Sequence, residues 1–341
     1  MSDCPVALAE VTRGALVESV HYGSLAVADT AGRVVASVGA PERVCYFRSS
    51  AKPLQAALVV LSGAADRFAF TAEELAIACA SHHGSARHVA VVSGILDKLG
   101  LGPEALQCGS HAINDAEEAR RLIREGLEPT PLHNNCSGKH AGMLAAALAM
   151  GADVEGYLSP EHPVQSANLS NVARFCGLSP EEVVIGVDGC GVPTFGVPLR
   201  AAATAFARLA TGEGLDDDLA AATERIRQAM WAAPDMISAP GAFNSELLRV
   251  LAGRVVAKGG AEGLYCVGNV HAAEGLAIKS EGGSFRGLHE AMVTAMVARW
   301  PELDDGTLDR WRQSPVKNAR GEHVGDVRPV VPVEPLRPVR P

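Results

Sequence analysis

In the stretch YFRSSAKPLQAAL, Ser49 stands three residues before Lys52. Positions i and i+3 share a face of a helix, so the Ser49 hydroxyl and the Lys52 amine can meet. Pro53 is tolerated only in a first helical turn, which sets the pair at a helix N-terminus, where backbone donors and the dipole favour a developing oxyanion. A serine beside a lysine can serve as nucleophile and base when the amine is neutral, and a dehydrated site or a second cation provides that condition. Taken alone, Ser-x-x-Lys is also the pattern of an N-cap followed by a solvated lysine.

A second lysine adds weight. In VVAKGG, Lys258 follows an apolar strand-like run and precedes two glycines, which lets a ligand approach the backbone. A Ser-x-x-Lys, an inner serine and a Lys-x-Gly strand follow one another in this order in serine β-lactamases and penicillin-binding proteins. The inner candidate is Ser81 in ACASHHGS, which reads equally as a loop serine after a helix.

Polar groups also crowd PLHNNCSGKHAGM, where His133, Asn134, Asn135, Cys136, Lys139 and His140 stand at the mouth of an apolar helix. Such a cluster lines a site or caps the helix. In VIGVDGCGVPTFGVPL an apolar strand runs into Asp188 and Cys190 among glycines, which suits a sharp turn that presents both side chains. Cys136, Lys139 and Cys190 together suggest a site for a soft cation such as zinc, although lysine is a rare ligand.

These groups need a frame. Residues 15–38 alternate apolar and polar on both sides of DTAGR, the pattern of an antiparallel hairpin. Helices are expected over 50–62, over 71–80 with Thr71 and Glu74 as a capping box, and over 85–99. SGKHAGMLAAALAM is apolar nearly all round and stopped by Gly151, so it belongs in the middle of a helical layer. Two further helices follow in 200–214 and 216–234, and strand character returns in GRVVAKGG, GLYCVGNV and GLAIKSEGG. Strands near both ends and helices between them imply an α/β chain of the α+β kind, a mixed sheet flanked by helices with a helical lobe. Residues 1–328 read as one two-lobed domain, and the proline-rich 329–341 as an extended tail.

With 48% hydrophobic and 20% charged residues over 341 positions, the chain is globular. Its formal charge of -9, without a Lys/Arg cluster, excludes nucleic acid and anionic membrane as expected partners. The start has no basic segment followed by an apolar run, so a cytoplasmic protein is expected. The longest apolar run, 140–152, falls short of the roughly 20 residues of a membrane span. Eight scattered cysteines without Cys-x-x-Cys do not suggest a disulfide framework.

The motifs FRSSAKPLQA, ASHHGSARHV, HNNCSGKHAGML, GVDGCGVPTFGVPL and AKGGAEG, in this order, resemble the L-asparaginase II family of the thermolabile, rhizobial type over roughly residues 8–328. The resemblance implies a β-lactamase/glutaminase-like fold and hydrolysis of L-asparagine to L-aspartate and ammonia. It implies two Ser-Lys pairs, Ser49 with Lys52 and Ser81 with Lys258, with either serine open as the nucleophile. It further implies substrate-side residues Arg48, Asn134, His140 and Asp188, and a zinc held by Cys136, Lys139 and Cys190 that tunes affinity and does not activate water. A homodimer is also implied. One departure stands out: Phe243-Asn244 occupies the place where the family has Phe-Cys. Rival readings are a glutaminase, a β-lactam or D-peptide acyl-enzyme, and a non-catalytic amino-acid binder.

Overall fold

A computed structural model describes residues 4–338. Its main sheet has eight strands. β1 (Val6–Arg13), β2 (Leu16–Asp29) and β3 (Val34–Val38) come from the N-terminal part. Two short central strands β4 (Val44–Tyr46) and β5 (Val184–Val187), with β6 (Pro193–Pro198), form a separate three-stranded sheet in the order β4-β6-β5. β7 (Val255–Gly260), β8 (Leu264–Asn269), β9 (Glu274–Ser280), β10 (Ser314–Lys317) and β11 (His323–Pro329) complete the main sheet, whose order is β10-β11-β1-β2-β9-β8-β7 with β3 also on β2.

Every pairing among the described strands is antiparallel, where a mixed sheet was expected. For neighbours in the chain, such as β1-β2, β2-β3, β7-β8 and β8-β9, short turns dictate this, because a link of a few residues can join only antiparallel neighbours. The expected hairpin is β2-β3, in which Asp29 Oδ1 accepts from the amides of Ala31 and Arg33 and so closes the turn.

The helices of the middle are α1 (Lys52–Leu61), α2 (Ala64–Arg67), α3 (Ala72–Ala78), α4 (Ala86–Leu99), α5 (Ala116–Glu125), α6 (Ser137–Met150), α7 (Pro163–Cys176), α8 (Leu199–Thr211), α9 (Asp217–Ala232), α10 (Pro234–Ile237) and α11 (Phe243–Val250). α12 (Leu288–Arg299) lies between the C-terminal strands. Thr71 and Glu74 form the expected capping box on α3. α6 is buried from Ser137 through Ala147 and ends at Gly151 in a left-handed cap, as its apolar circumference requires. The alanine-rich α8 lies so close to the sheet that a Cβ at Gly275 of β9 would run into Ala203 O. That contact ties the helical layer to the strands that carry Lys258.

Beyond Pro329 the expected extended tail is instead packed: Val331 and Leu336 are buried, and a 3₁₀ turn at Glu334–Leu336 lies against β3 and α12. Its apolar side chains find room beside the sheet edge. Residues 339–341 lie outside the described residues. Among the described residues no helix is long and apolar enough to cross a membrane. The cysteines from Cys45 to Cys266 are buried thiols outside any disulfide.

Candidate active site

Ser49 sits where strand β4 turns into α1. Phe47 is fully buried and its amide donates to Phe195 O of β6, which pins the strand end. Arg48 then takes a left-handed conformation with φ of 48°, a strain of order 1–3 kcal/mol for a residue with a side chain. Its Nε donates to Asp188 Oδ1 at 2.7 Å, so the pair holds the strained turn in place. A 3₁₀ turn over Arg48–Ala51 leads into α1, and this terminus has no side-chain cap. Ser49 is therefore not an N-cap. Its carbonyl accepts from the Lys52 amide, its hydroxyl makes no hydrogen bond among the described residues, and it lines a cavity of about 340 Å³.

Lys52 and Lys258 are both fully buried. Lys52 Nζ donates to Ala80 O at 2.6 Å, to Ser81 Oγ at 3.0 Å and to Asn135 O at 3.1 Å. Lys258 Nζ donates to the same Ser81 Oγ at 2.9 Å and to Gly259 O at 2.8 Å. The structure thus brings both lysines to Ser81, at the end of α3, while Ser49 shares the cavity wall with Ser81 and Lys258 and, among the described residues, forms no hydrogen bond to Lys52 through its hydroxyl. Burial, and then the charge of Lys52, push Lys258 well below the ordinary ammonium range.

Ser50 escaped the sequence reading. Its hydroxyl donates to Lys258 O at 3.0 Å and locks the Ser49 turn onto β7. The contact is possible because residue 260 is glycine: a Cβ there would run into Phe47 O and come within 2.9 Å of Ser50 Oγ. Serine 50 at one end and a Gly-Gly pair at the other were the available signals.

A second cluster stands behind the turn. The ligand atoms of Cys136, Asp188 and Cys190 lie within 4.8 Å of one another. Lys139 Nζ donates to Cys190 Sγ at 3.0 Å and lies 3.7 Å from Asp188 Oδ2. Asp188 Oδ1 also accepts from Gly189 N at 2.9 Å. The bond from Cys190, aided by the charges of Lys52 and Lys139, keeps Cys136 well below the thiol range, while the same bond and burial push Cys190 up. Burial raises the Asp188 carboxyl, but Lys139, Arg48 and the Gly189 amide outweigh it and the net shift is downward. Lys139 is raised despite burial, because Cys136 and Asp188 and its hydrogen bond to the Cys190 sulfur outweigh desolvation. Two sulfurs and a carboxylate are a donor set that suits zinc. Lys139, charged as it stands, would join only on losing its proton.

None of the four expected substrate-side residues lines the cavity. Asn134 donates its amide to Cys108 O at 2.9 Å and Gly109 O at 3.1 Å and accepts from Cys136 N at 2.8 Å, so it fastens the loop before α6. Its neighbour Asn135 lines the cavity in its stead. His140 is fully buried with Nδ1 2.6 Å from the Tyr157 hydroxyl. That hydroxyl accepts from Gln107 N, which leaves its own proton for the imidazole. The physical reason is the same in both cases: their polar atoms are used up or enclosed on the far side of the loop. Arg48 and Asp188 also lie off the cavity wall, paired with each other. Asn244 does line it, and its Oδ1 accepts from Gly259 N at 3.2 Å, bracing the strand of Lys258. His83, also on the wall, was not singled out from the sequence.

The sequence model of the L-asparaginase II family matches residues 9–329. No curated protein matches the chain. Among solved structures it is similar to a β-lactamase from Mycobacterium bovis, with 15% identity, 85% of this chain and 94% of that one covered, and a TM-score of 0.40. It is also similar to a simvastatin synthase mutant from Aspergillus terreus, with 12% identity, coverage of 75% and 86%, and a TM-score of 0.38.

Proposed function

Since this chain belongs to the L-asparaginase II family, an amidohydrolase family acting on asparagine, we propose that it cleaves L-asparagine to L-aspartate and ammonia through an acyl-enzyme on Ser49. The observation that carries this reading is the Ser81 hydroxyl held between two buried lysine amines in the cavity that Ser49 lines. Ser49 Oγ attacks the side-chain amide carbon. Its proton passes to Lys52, one helical turn on, as Lys52 hands a proton through Ser81 to the neutral amine of Lys258. The same chain returns a proton to the departing ammonia, and water then splits the ester. Backbone N–H groups of the Ser49 turn stabilise the oxyanion.

The paired Arg48 and Asp188 offer complementary charges to the α-carboxylate and α-ammonium of the substrate. Zinc would be held by Cys136, Cys190 and a deprotonated Lys139. When bound, it supplies a fixed positive charge that tunes affinity. We also assign the protein to the cytoplasm and to a homodimer, the latter to be read from its mass by light scattering.

A second reading has its own support. Ser81 is the hydroxyl that contacts both lysines, which makes it the alternative nucleophile. Acid quenching during turnover, followed by peptide mass mapping, decides between them. An aspartyl ester on the Ser49 peptide is expected, and one on the Ser81 peptide transfers the role. Ammonia release from L-glutamine, measured beside L-asparagine, sizes the discrimination, which for one methylene is about 1–3 kcal/mol in a simple pocket. A chromogenic β-lactam in the same assay addresses the acyl-enzyme rival. Absence of ammonia release from either amide refutes the function.

A further inference from the structure

Hydrolysis of a primary amide needs little room beyond the reacting serines, because the leaving group is ammonia. The cavity nevertheless holds about 340 Å³, within the range of sites that enclose whole small molecules. Its wall past Lys258 is one aromatic assembly. Phe243 stacks on His289 with ring centres 4.0 Å apart and 19° between planes. Tyr265 meets both at their edges, at 5.3 and 5.6 Å. Phe285, 37% exposed, tilts against His289 at 5.7 Å and forms the rim. Trp311 buttresses Phe243 from outside the cavity at 5.4 Å, and Arg310 lies over its ring. The chain is only 4% aromatic, so this gathering on one wall is a concentration that ammonia does not require.

The wall is also built to stay where it is. Tyr265 pairs across the strands with Gly259, and a Cβ at Gly259 would come within 3.1 Å of its ring. The tyrosine ring therefore lies over the backbone next to Lys258. Burial keeps the His289 imidazole neutral, its value lowered to about 4. Planar, uncharged and preorganised surfaces of this kind recognise other rings, by stacking or edge contact.

Orientation follows from the charges. Arg48 and Asp188 suit the amino-acid head group and lie off the cavity wall, Arg48 immediately before Ser49 in the chain and Asp188 paired with Arg48. In the amidase reading, a substrate whose head group meets this pair would extend its side-chain amide past Ser49 into the cavity. Its amide nitrogen is then the atom that faces the aromatic wall.

We propose that this wall is a leaving-group subsite for arylamines, so that the protein also hydrolyses β-anilides of L-aspartate; the inference rests on the amidase reading above. Ser49 Oγ bonds to the amide carbon and the C–N bond breaks. The amine leaves with the proton relayed from the serine. Water then donates its hydroxyl to the aspartyl carbon and its remaining proton to Ser49, which gives L-aspartate and a free aromatic amine.

The test uses the purified full-length protein with L-aspartate β-(4-nitroanilide), following 4-nitroaniline by its absorbance, and measures ammonia from L-asparagine in parallel. Nitroaniline release inhibited competitively by L-asparagine is expected. In His289→Ala and in Phe285→Ala the ratio of kcat/KM for the anilide to that for asparagine should fall about five- to tenfold, the worth of one aromatic contact. Phe285 is on the rim, so its variant keeps the test open should His289→Ala fail to fold. Ammonia release without nitroaniline release overturns the subsite, as does an unchanged ratio in the rim variant. Loss of both products overturns the amidase reading and the subsite with it.

Discussion

Lys258→Met should end turnover and, at neutral pH, make the protein more stable. The lysine is fully buried, and burial together with Lys52 lowers its folded-state value well below that of a free amine. In the unfolded chain the same amine titrates at about 10.4. Between the two values the unfolded state binds the extra proton, so stability rises with pH across that window. The slope is about 1.4 kcal/mol per pH unit for one proton between the two values. Methionine abolishes that term. It also forfeits the bonds to Ser81 Oγ and Gly259 O, each worth about 1 kcal/mol. The variant should therefore exceed the wild type most at the acid end of the window, and the advantage should shrink by about 1.4 kcal/mol per pH unit toward the free-amine value. Urea denaturation of both proteins at several pH values measures this, and the difference cancels other titrating groups. A gap that does not change with pH, or a variant less stable at pH 8, would refute the assignment of a neutral buried amine. Ammonia release should fall at least about a thousandfold, as for other members of a catalytic unit.

Lys52→Met should likewise lower ammonia release by about a thousandfold or more while circular dichroism stays unchanged; activity near wild type removes Lys52 from the mechanism. Gly260→Ala should cost about 2 kcal/mol or more in urea denaturation, because the new Cβ meets the Phe47 carbonyl and Ser50 Oγ and pushes β7 off the Ser49 turn. Asp188→Asn should raise KM for asparagine at least about tenfold with a smaller change in kcat, since it strips the partner from Arg48 and Lys139. Because the Asp188 value is depressed, its stabilisation is present above the ordinary carboxylate range and lost as pH falls through the folded value, and the variant should flatten that acid segment of the stability curve. Chelation followed by metal analysis and kinetics should show KM rising on zinc removal with kcat nearly constant; a collapse of kcat would instead make the metal catalytic.

What could be read from the sequence was written in local signals. The β2-β3 turn is fixed by an aspartate two and four residues from the amides it bonds, and the α3 start by Thr71 and Glu74 three apart. Ser49, Lys52, Ser81 and Lys258 were legible as types in order, and Cys136, Lys139 and Cys190 as a cluster, but not their partners. Ser81 meets lysines 29 and 177 positions away, and no spacing announces that both reach the same oxygen. The turn before α6 was harder still. Consecutive residues of a non-helical turn point in different directions, and distant carbonyls at Cys108 and Gly109 decide that Asn134 faces inward while Asn135 faces the cavity. The aromatic wall comes from four segments, 243, 265, 285 and 289, each of which reads alone as an ordinary core residue. Only one part had a readable cause, a tyrosine opposite a glycine in adjacent strands, since a ring fills the space that a missing Cβ leaves. Sites assembled from tertiary bonds are therefore the part of a protein that types and spacing underdetermine, and here that part includes the surfaces that choose the leaving group.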